Sequence, residues 1–85
     1  MKEQKIIDLG FERTDDNDGE QEYHYYTLDI GHDYTPLCLI TNGSDEAIND
    51  NWTVTIFDYE SIVISDVNEL NKLIELLKNN VKWIK

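Results

Sequence analysis

The last third of the chain carries the pattern that most restricts its fold, a single apolar stripe at helical spacing. In SDVNELNKLIELLKNNVKWIK, apolar residues recur at intervals of three and four, at Val67, Leu70, Leu73, Ile74, Leu77 and Val81. Asp66, with Glu69 three positions later, predicts the N-terminal cap and first turn of this helix. Such a helix needs an apolar surface to cover, because its stripe is not stable in water.

Runs of alternating polarity precede the helix and predict the surface that it covers. YHYYTLDI, PLCLITN, NWTVTIF and SIVIS show the period of two that is typical of strands. GFERT predicts a short strand that pairs back across DDNDGE, and residues 2–8 predict a helical turn ending at Gly10. The sequence therefore predicts one α+β domain, 1–85. It is an antiparallel four- to five-stranded β-meander, with the C-terminal amphipathic helix packed on one face and a short N-terminal helical turn.

The alternation also assigns side chains to the two faces of the predicted sheet. The face expected to meet the C-terminal helix contains Tyr26, Leu28, Ile30, Leu37, Leu39, Trp52, Val54, Ile56, Ile62 and Ile64. The second face would show Tyr23, Tyr25, Thr27, Cys38, Ile40, Thr55, Phe57 and Val63. One helix covers one face. The second, aromatic-rich face is therefore expected to be covered by the N-terminal segment, by a second copy of the chain or by a partner.

The formal net charge of −11 is concentrated in the middle of the chain. Residues 8–60 contain fourteen acidic residues and one basic residue, Arg13, whereas residues 1–7 and 61–85 each carry one net positive charge. Direct binding to nucleic acid or to an anionic membrane is not expected, because contacts with phosphates require lysine and arginine. This distribution favours a basic protein partner.

Cysteine content and hydropathy indicate the compartment. The chain has one cysteine, Cys38, which excludes an internal disulfide and is typical of a reducing environment. No apolar run is long enough for a signal peptide or a membrane span. We therefore expect a cytoplasmic location.

The stretch TDDNDGEQEYHYY, residues 14–26, combines five acidic residues with three tyrosines. It does not match a calcium-binding EF-hand loop. With Gly19 at the sixth position, the first and twelfth positions are Thr14 and Tyr25, so both charged end ligands are missing. Asp18-Gly19 is a hairpin signal, and we predict a turn followed by the start of a strand.

Side chains for catalytic or metal chemistry are few, and no glycine-rich phosphate loop is present. The candidate metal ligands are His24, His32, Asp33 and Cys38. Their spacing in the sequence matches no standard zinc-binding pattern. Cys38 lies in an apolar strand run, where cysteine behaves as a small hydrophobic residue. We predict a non-catalytic protein without a cofactor or a metal site. The alternative is a small metal-dependent enzyme that uses the two histidines and Asp33.

Acidic residues beside tyrosines predict a protein-binding surface. Residues two apart on a strand lie about 6.6 Å apart on one face, close to the ~6–7 Å between neighbouring phosphates of a DNA strand. Glu20 with Glu22, and Asp58 with Glu60, would thus form phosphate-like rows, and tyrosines would anchor the interface. The predicted partner-binding residues are Asp15, Asp16, Asp18, Glu20, Glu22, Tyr23, Tyr25, Asp29, Asp33, Tyr34, Asp58, Tyr59 and Glu60.

This prediction requires the acidic side chains to converge into one negative patch. Two alternatives to a partner-binding surface remain open. In the first, the acidic residues serve only to keep the domain soluble. In the second, the protein is a homodimer that buries the sheet face of Tyr25, Ile40 and Phe57.

Four runs, IIDLGF, YHYYTLD, LCLITN and WTVTIFDYESIVISDVNELNKLIELL, resemble short acidic proteins encoded by bacteria and their phages. The resemblance spans most of the chain, but its motifs mark the fold: LGF, the Trp-led strand and the helix opened by D-x-x-E-L. It implies a phage-type inhibitor of a nucleic-acid-binding enzyme, such as an anti-CRISPR or anti-restriction protein that mimics DNA. It assigns no functional residue.

Overall fold

The computed structural model describes residues 1–19, 21–31 and 37–80. The elements are α1 (Glu3–Asp8), β1 (Glu12–Asp18), β2 (Gln21–Ile30), β3 (Leu37–Thr41), β4 (Val54–Ile56), β5 (Tyr59–Ile64) and α2 (Val67–Asn79). The five strands form one antiparallel sheet in the order β1-β2-β3-β4-β5. The predicted α+β meander with a helix at each end is therefore confirmed. Neither described helix has the length and apolar character needed to cross a bilayer.

The first hairpin differs from its prediction, because β1 continues through the acidic stretch that was expected to form a turn. Its pairing with β2 runs from Glu12 opposite Thr27 to Asp18 opposite Gln21. Gly19, with a φ of 75°, lies beyond the end of β1 in the left-handed conformation that glycine tolerates. Aspartate and asparagine have low strand propensity, but pairing with a neighbouring strand outweighs that preference here.

The outer half of this hairpin extends beyond the rest of the sheet. β2 has ten residues, yet β3 pairs only with its last four, Thr27–Ile30. We call the part of β1 and β2 nearest their connecting turn, 14–18 and 21–25, the outer hairpin. It contains most of the acids and tyrosines of the unusual stretch.

The hydrophobic core lies between one face of the sheet and the two helices. α1 contributes Ile6, and α2 contributes Leu70 and Ile74. The buried residues are Ile6, Phe11, Tyr26, Ile30, Leu39, Ala47, Trp52, Val54, Leu70 and Ile74. Since the strand residues among them belong to the predicted helix-facing set, the alternation assigned this face correctly. Leu28, Ile56 and Ile64 of that set pack against the core and are partly buried.

Two expectations about the faces are wrong. Ile62 was expected to meet the C-terminal helix, but it is 47% exposed, because β5 is an edge strand and no strand of the described residues lies on its outer side. The N-terminal segment was one candidate to cover the second face. Instead α1 packs in the same core as α2, through Ile6. A second copy or a partner remains as the candidate cover.

The start of α2 gives a test of local stability. An oxygen of the Asp66 carboxylate accepts a hydrogen bond of 2.7 Å from the backbone N–H of Asn68, which confirms the predicted cap. We expect Asp66→Ala to lower the free energy of unfolding by about 1 kcal/mol, measured by urea denaturation. Asp66→Asn keeps an accepting oxygen and should cost much less. Equal losses in both variants would show that the charge, not the cap, stabilises this end.

Candidate functional site

Two tyrosines of the outer hairpin lie side by side on the sheet face that the described helices leave open. The register places Asp16 opposite Tyr23 and Thr14 opposite Tyr25, and residues opposite each other in an antiparallel pair share a face. The rings of Tyr23 and Tyr25 have centroids 6.4 Å apart. The Tyr23 hydroxyl donates a hydrogen bond of 3.1 Å to an oxygen of the Asp16 carboxylate. We call the surface of Asp16, Tyr23, Tyr25 and Ile40 the tyrosine face.

The loop after β3 supports this surface from the side. The backbone N–H of Ser44 donates to the carbonyl of His24 at 2.8 Å, and the N–H of His24 donates to the Ser44 hydroxyl at 3.0 Å. Gly43 lies so close that a Cβ at this position would be 3.3 Å from the Tyr23 ring. A shallow depression of about 280 Å³ lies between this loop and the tyrosine face. Both tyrosines are half-buried, and the Tyr23 ring lies against the backbone of Gly43, which lowers the entropy cost of using it as a contact.

The other side of the outer hairpin is a cleft of about 500 Å³ with mixed charge. Its lining residues are Arg13, Asp15, Asp16, Asn17, Glu22, Tyr23 and His24. The Arg13 guanidinium donates to the Asp15 carboxylate at 2.9 Å, so much of the one positive charge in this region is neutralised. Asp15 lies opposite His24, on the face away from the tyrosines. Asp15 and Asp16 therefore lie on opposite faces of β1, although Asp16 and Tyr23 of the tyrosine face also contribute to the cleft lining.

His24 of this cleft belongs to a hydrogen-bonded cluster that fixes α1 on the sheet. One oxygen of the Glu3 carboxylate lies 2.6 Å from Nε2 of His24 and accepts a 2.5 Å hydrogen bond from the Tyr26 hydroxyl. The Tyr26 bond holds the pKa of Glu3 below its usual value. Burial, together with that bond, raises the pKa of Tyr26 to about 12. The rings of His24 and Tyr26 both pack against Trp52, at 5.6 and 5.5 Å between centroids.

The sequence did not indicate this cluster. Glu3 and His24 are 21 positions apart, and no local spacing connects them. His24 was expected at the surface or rim of the sheet, and its side chain is 20% exposed. The one available signal was that His24 and Tyr26 share a strand face.

The remaining predicted site residues of the described chain lie at the opposite end of the sheet. β3 returns from β2 and β4 runs back again, so the β4–β5 turn is distant from the hairpin tip. The N–H of Phe57 donates to the carbonyl of Cys38, which lies opposite Asp29. Asp29 lies six positions after Tyr23 on β2, about 20 Å away at ~3.3 Å per residue. Asp29, Asp58 and Tyr59 thus form a group separate from the outer hairpin.

The sequence predicted that the acidic residues converge into one negative patch. They lie instead in two groups at opposite ends of the sheet. Asp58 has a left-handed φ of 71° and lies in the turn, so Asp58 and Glu60 do not form a phosphate-like row on one strand. Asp18 is the last residue of β1, and Glu60 lies on β5, so these two acids belong to opposite edge strands of the sheet. Four other residues that the sequence suggested for partner binding or metal binding lie outside the described residues: Glu20, His32, Asp33 and Tyr34.

Two observations bear on the chemistry of the described residues. Burial, with the Asp29 carboxylate nearby, raises the pKa of Cys38 to about 11, so its thiol is protonated at neutral pH and is a weak nucleophile. Within residues 1–19, 21–31 and 37–80, no three histidine, cysteine or acidic side chains are grouped to hold a metal ion. The histidine-based metal alternative also depends on His32 and Asp33, which lie outside those ranges.

Comparison with known proteins identified no relative. The chain matches no protein-family model, no curated protein and no solved structure. The functional inference therefore depends on the geometry and charge of the two ends of the sheet. Of these, the outer hairpin has the better-defined arrangement, since its tyrosines are paired and supported.

Proposed function

We propose that this protein is a non-catalytic binding protein that docks its tyrosine face on a basic surface of a partner protein. The observation that carries the proposal is the pair Tyr23 and Tyr25, held beside Asp16 on the sheet face that neither described helix covers. Tyrosine offers a large contact area with few rotatable bonds and a hydroxyl for polar contacts, and it is common among interface residues that dominate affinity.

The charge of the outer hairpin selects the class of partner. Asp15, Asp16 and Glu22 are exposed there, and Arg13 is paired with one of them. Asp16 lies beside the tyrosines, and Asp15 and Glu22 lie on the opposite face of the same hairpin. Their combined negative field accelerates encounter with a cationic surface and disfavours acidic partners. A nucleic-acid-binding enzyme has such a surface, since its groove is lined by lysine and arginine.

A narrower form of the proposal is that the protein is a phage-type inhibitor that occupies such a groove, as anti-CRISPR and anti-restriction proteins do. One feature supports this form. The outer hairpin extends beyond the rest of the sheet, so it has access to a recessed surface.

The test is affinity capture from a bacterial lysate at low and high salt. The wild-type chain is expected to retain a basic nucleic-acid-binding protein that leaves at high salt and is displaced by duplex DNA. The variant Asp15→Asn/Asp16→Asn/Glu22→Gln should bind it about tenfold more weakly, with a smaller salt dependence. Tyr23→Ser/Tyr25→Ser should weaken binding at both salt concentrations, because it removes contact area and not charge.

A matched control removes the same number of charges elsewhere. Asp58→Asn/Glu69→Gln/Glu75→Gln changes the turn at the far end and the exposed side of α2. Its binding should remain close to that of the wild type. If the control and the hairpin variant lose affinity equally, general acidity and not the outer hairpin mediates binding. If the tyrosine variant binds as the wild type does at both salt concentrations, the tyrosine face is not the docking surface.

A further inference from the structure

The two edge strands of the sheet differ sharply in charge. β1, with the sequence ERTDDND, carries four acidic residues, whereas β5, YESIVI, carries one. The outer backbone N–H and C=O groups of an edge strand are free to pair with another strand, and charged side chains are a common protection against such pairing. A second copy of this chain would meet strong like-charge repulsion at β1 and little at β5.

β5 is also apolar and exposed on both of its faces. Ile62 is 47% exposed, Val63 is 58% exposed and Tyr59 is 62% exposed. The register pairs Val63 with Thr55 and Ile64 with Val54, so Ile62 and Val63 point to opposite faces. An added strand would therefore cover apolar surface above and below the sheet, in addition to forming backbone hydrogen bonds.

We propose that β5 pairs antiparallel with β5 of a second copy of this chain, which joins two sheets into one continuous sheet across a two-fold axis. Such an interface is closed, because each copy uses the same edge. The inference goes beyond the proposed function and does not depend on it. The second copy would cover neither tyrosine face, so the dimer would present two binding surfaces.

The charge distribution fits a second copy at this edge. β1 is the strand farthest from β5 in the sheet order. In the joined sheet the two β1 strands would be about 40 Å apart at ~4.8 Å per strand, several times the screening length of ~8–10 Å at physiological salt. Stacking the tyrosine faces of two copies would instead bring the acidic hairpins to about 10 Å, the usual distance between packed sheets. The edge pairing thus separates most of the negative charge.

The test is sedimentation of the purified full chain over a range of concentrations up to about 1 mM, where even a millimolar dissociation constant populates the dimer. The wild type is expected to form a dimer as concentration rises. Ile62→Lys and Val63→Lys should each weaken dimerisation by at least about tenfold, because the two-fold axis places two lysines in one interface. Circular dichroism checks that each variant is folded.

Ile48→Lys is the matched control, since Ile48 is 66% exposed and belongs to the loop between β3 and β4, not to β5. All three lysine variants reduce the net negative charge equally, so the general repulsion between two copies weakens by the same amount in each. The control should therefore dimerise as the wild type does. A wild type that stays monomeric at about 1 mM overturns the proposal. So does a dimer that survives both edge substitutions but is lost in Tyr25→Lys, which would indicate stacked tyrosine faces. No partner is present in this assay, so its failure is distinct from failure of the proposed function.

Discussion

The Trp52→Ala variant is expected to lose about 3–5 kcal/mol of unfolding free energy, the usual cost of removing a buried tryptophan. Trp52 is 4% exposed and contacts the rings of both His24 and Tyr26. Its backbone also exchanges two hydrogen bonds with Met1, from Met1 N to the Trp52 carbonyl at 2.9 Å and from Trp52 N to the Met1 carbonyl at 3.2 Å. A domain of this size has a total stability of only about 4–13 kcal/mol, so this loss is at least about a quarter of it.

Urea denaturation followed by circular dichroism measures this loss. Trp52→Phe keeps an aromatic ring in the core and should retain more than half of the stability that alanine removes. Ile48→Ala, at an exposed position, should change the free energy of unfolding by no more than about 0.5 kcal/mol. If Trp52→Ala lowers the free energy of unfolding by less than about 1 kcal/mol, the Trp52 side chain is not a main packing element of the core between the sheet and α1.

Glu3→Gln is expected to destabilise the protein by about 1–2 kcal/mol near neutral pH, because it replaces the carboxylate that accepts from Tyr26 and contacts His24. The lower part of the range for charge-assisted hydrogen bonds applies, since the Glu3 side chain is 36% exposed and water screens it. Tyr26→Phe removes the hydroxyl from the same bond and should cost a similar amount. The loss in both variants should appear as a lower Tm.

The pH dependence of this difference follows from the two pKa shifts. The pKa of Glu3 is below its usual 4.5 in the folded state, so its contribution is full above about pH 4.5 and disappears as the pH falls through the folded pKa. The pKa of Tyr26 is raised from 10.0 to about 12, so its contribution is full below pH 10 and disappears as the pH rises to about 12. Between these limits the cluster contributes fully.

Comparing Tm of the wild type and Glu3→Gln across pH isolates the cluster from the other acidic groups, which the two proteins share. The difference in Tm should be constant between about pH 5 and pH 9 and shrink towards zero on the acid side. A difference that stays the same down to about pH 2 would show that Glu3 is not ionised in the folded state and that the hydrogen bond to Tyr26 has another form.

Several features of the candidate site were accessible from the sequence. The two-residue period of β2 placed Tyr23 and Tyr25 on one face and Tyr26 on the other, as the structure has them. The position of the acids was not accessible, because it depends on where β1 ends and on which turns lie at the same end of the sheet. Asp15 and Asp16 diverge since β1 is extended there, and Asp58 is distant since the meander places its turn at the far end.

The sequence by itself determined α2, its cap at Asp66 and the inward faces of the strands, because these follow from local periodicity and hydrogen bonding within a few residues. Only the tertiary structure decided the extension of β1 into the acidic stretch, the packing of α1 into the same core as α2 and the contact of Glu3 with His24. The physical reason is that these features join segments distant in the chain. Their free energy comes from strand pairing and burial, which local propensity does not encode.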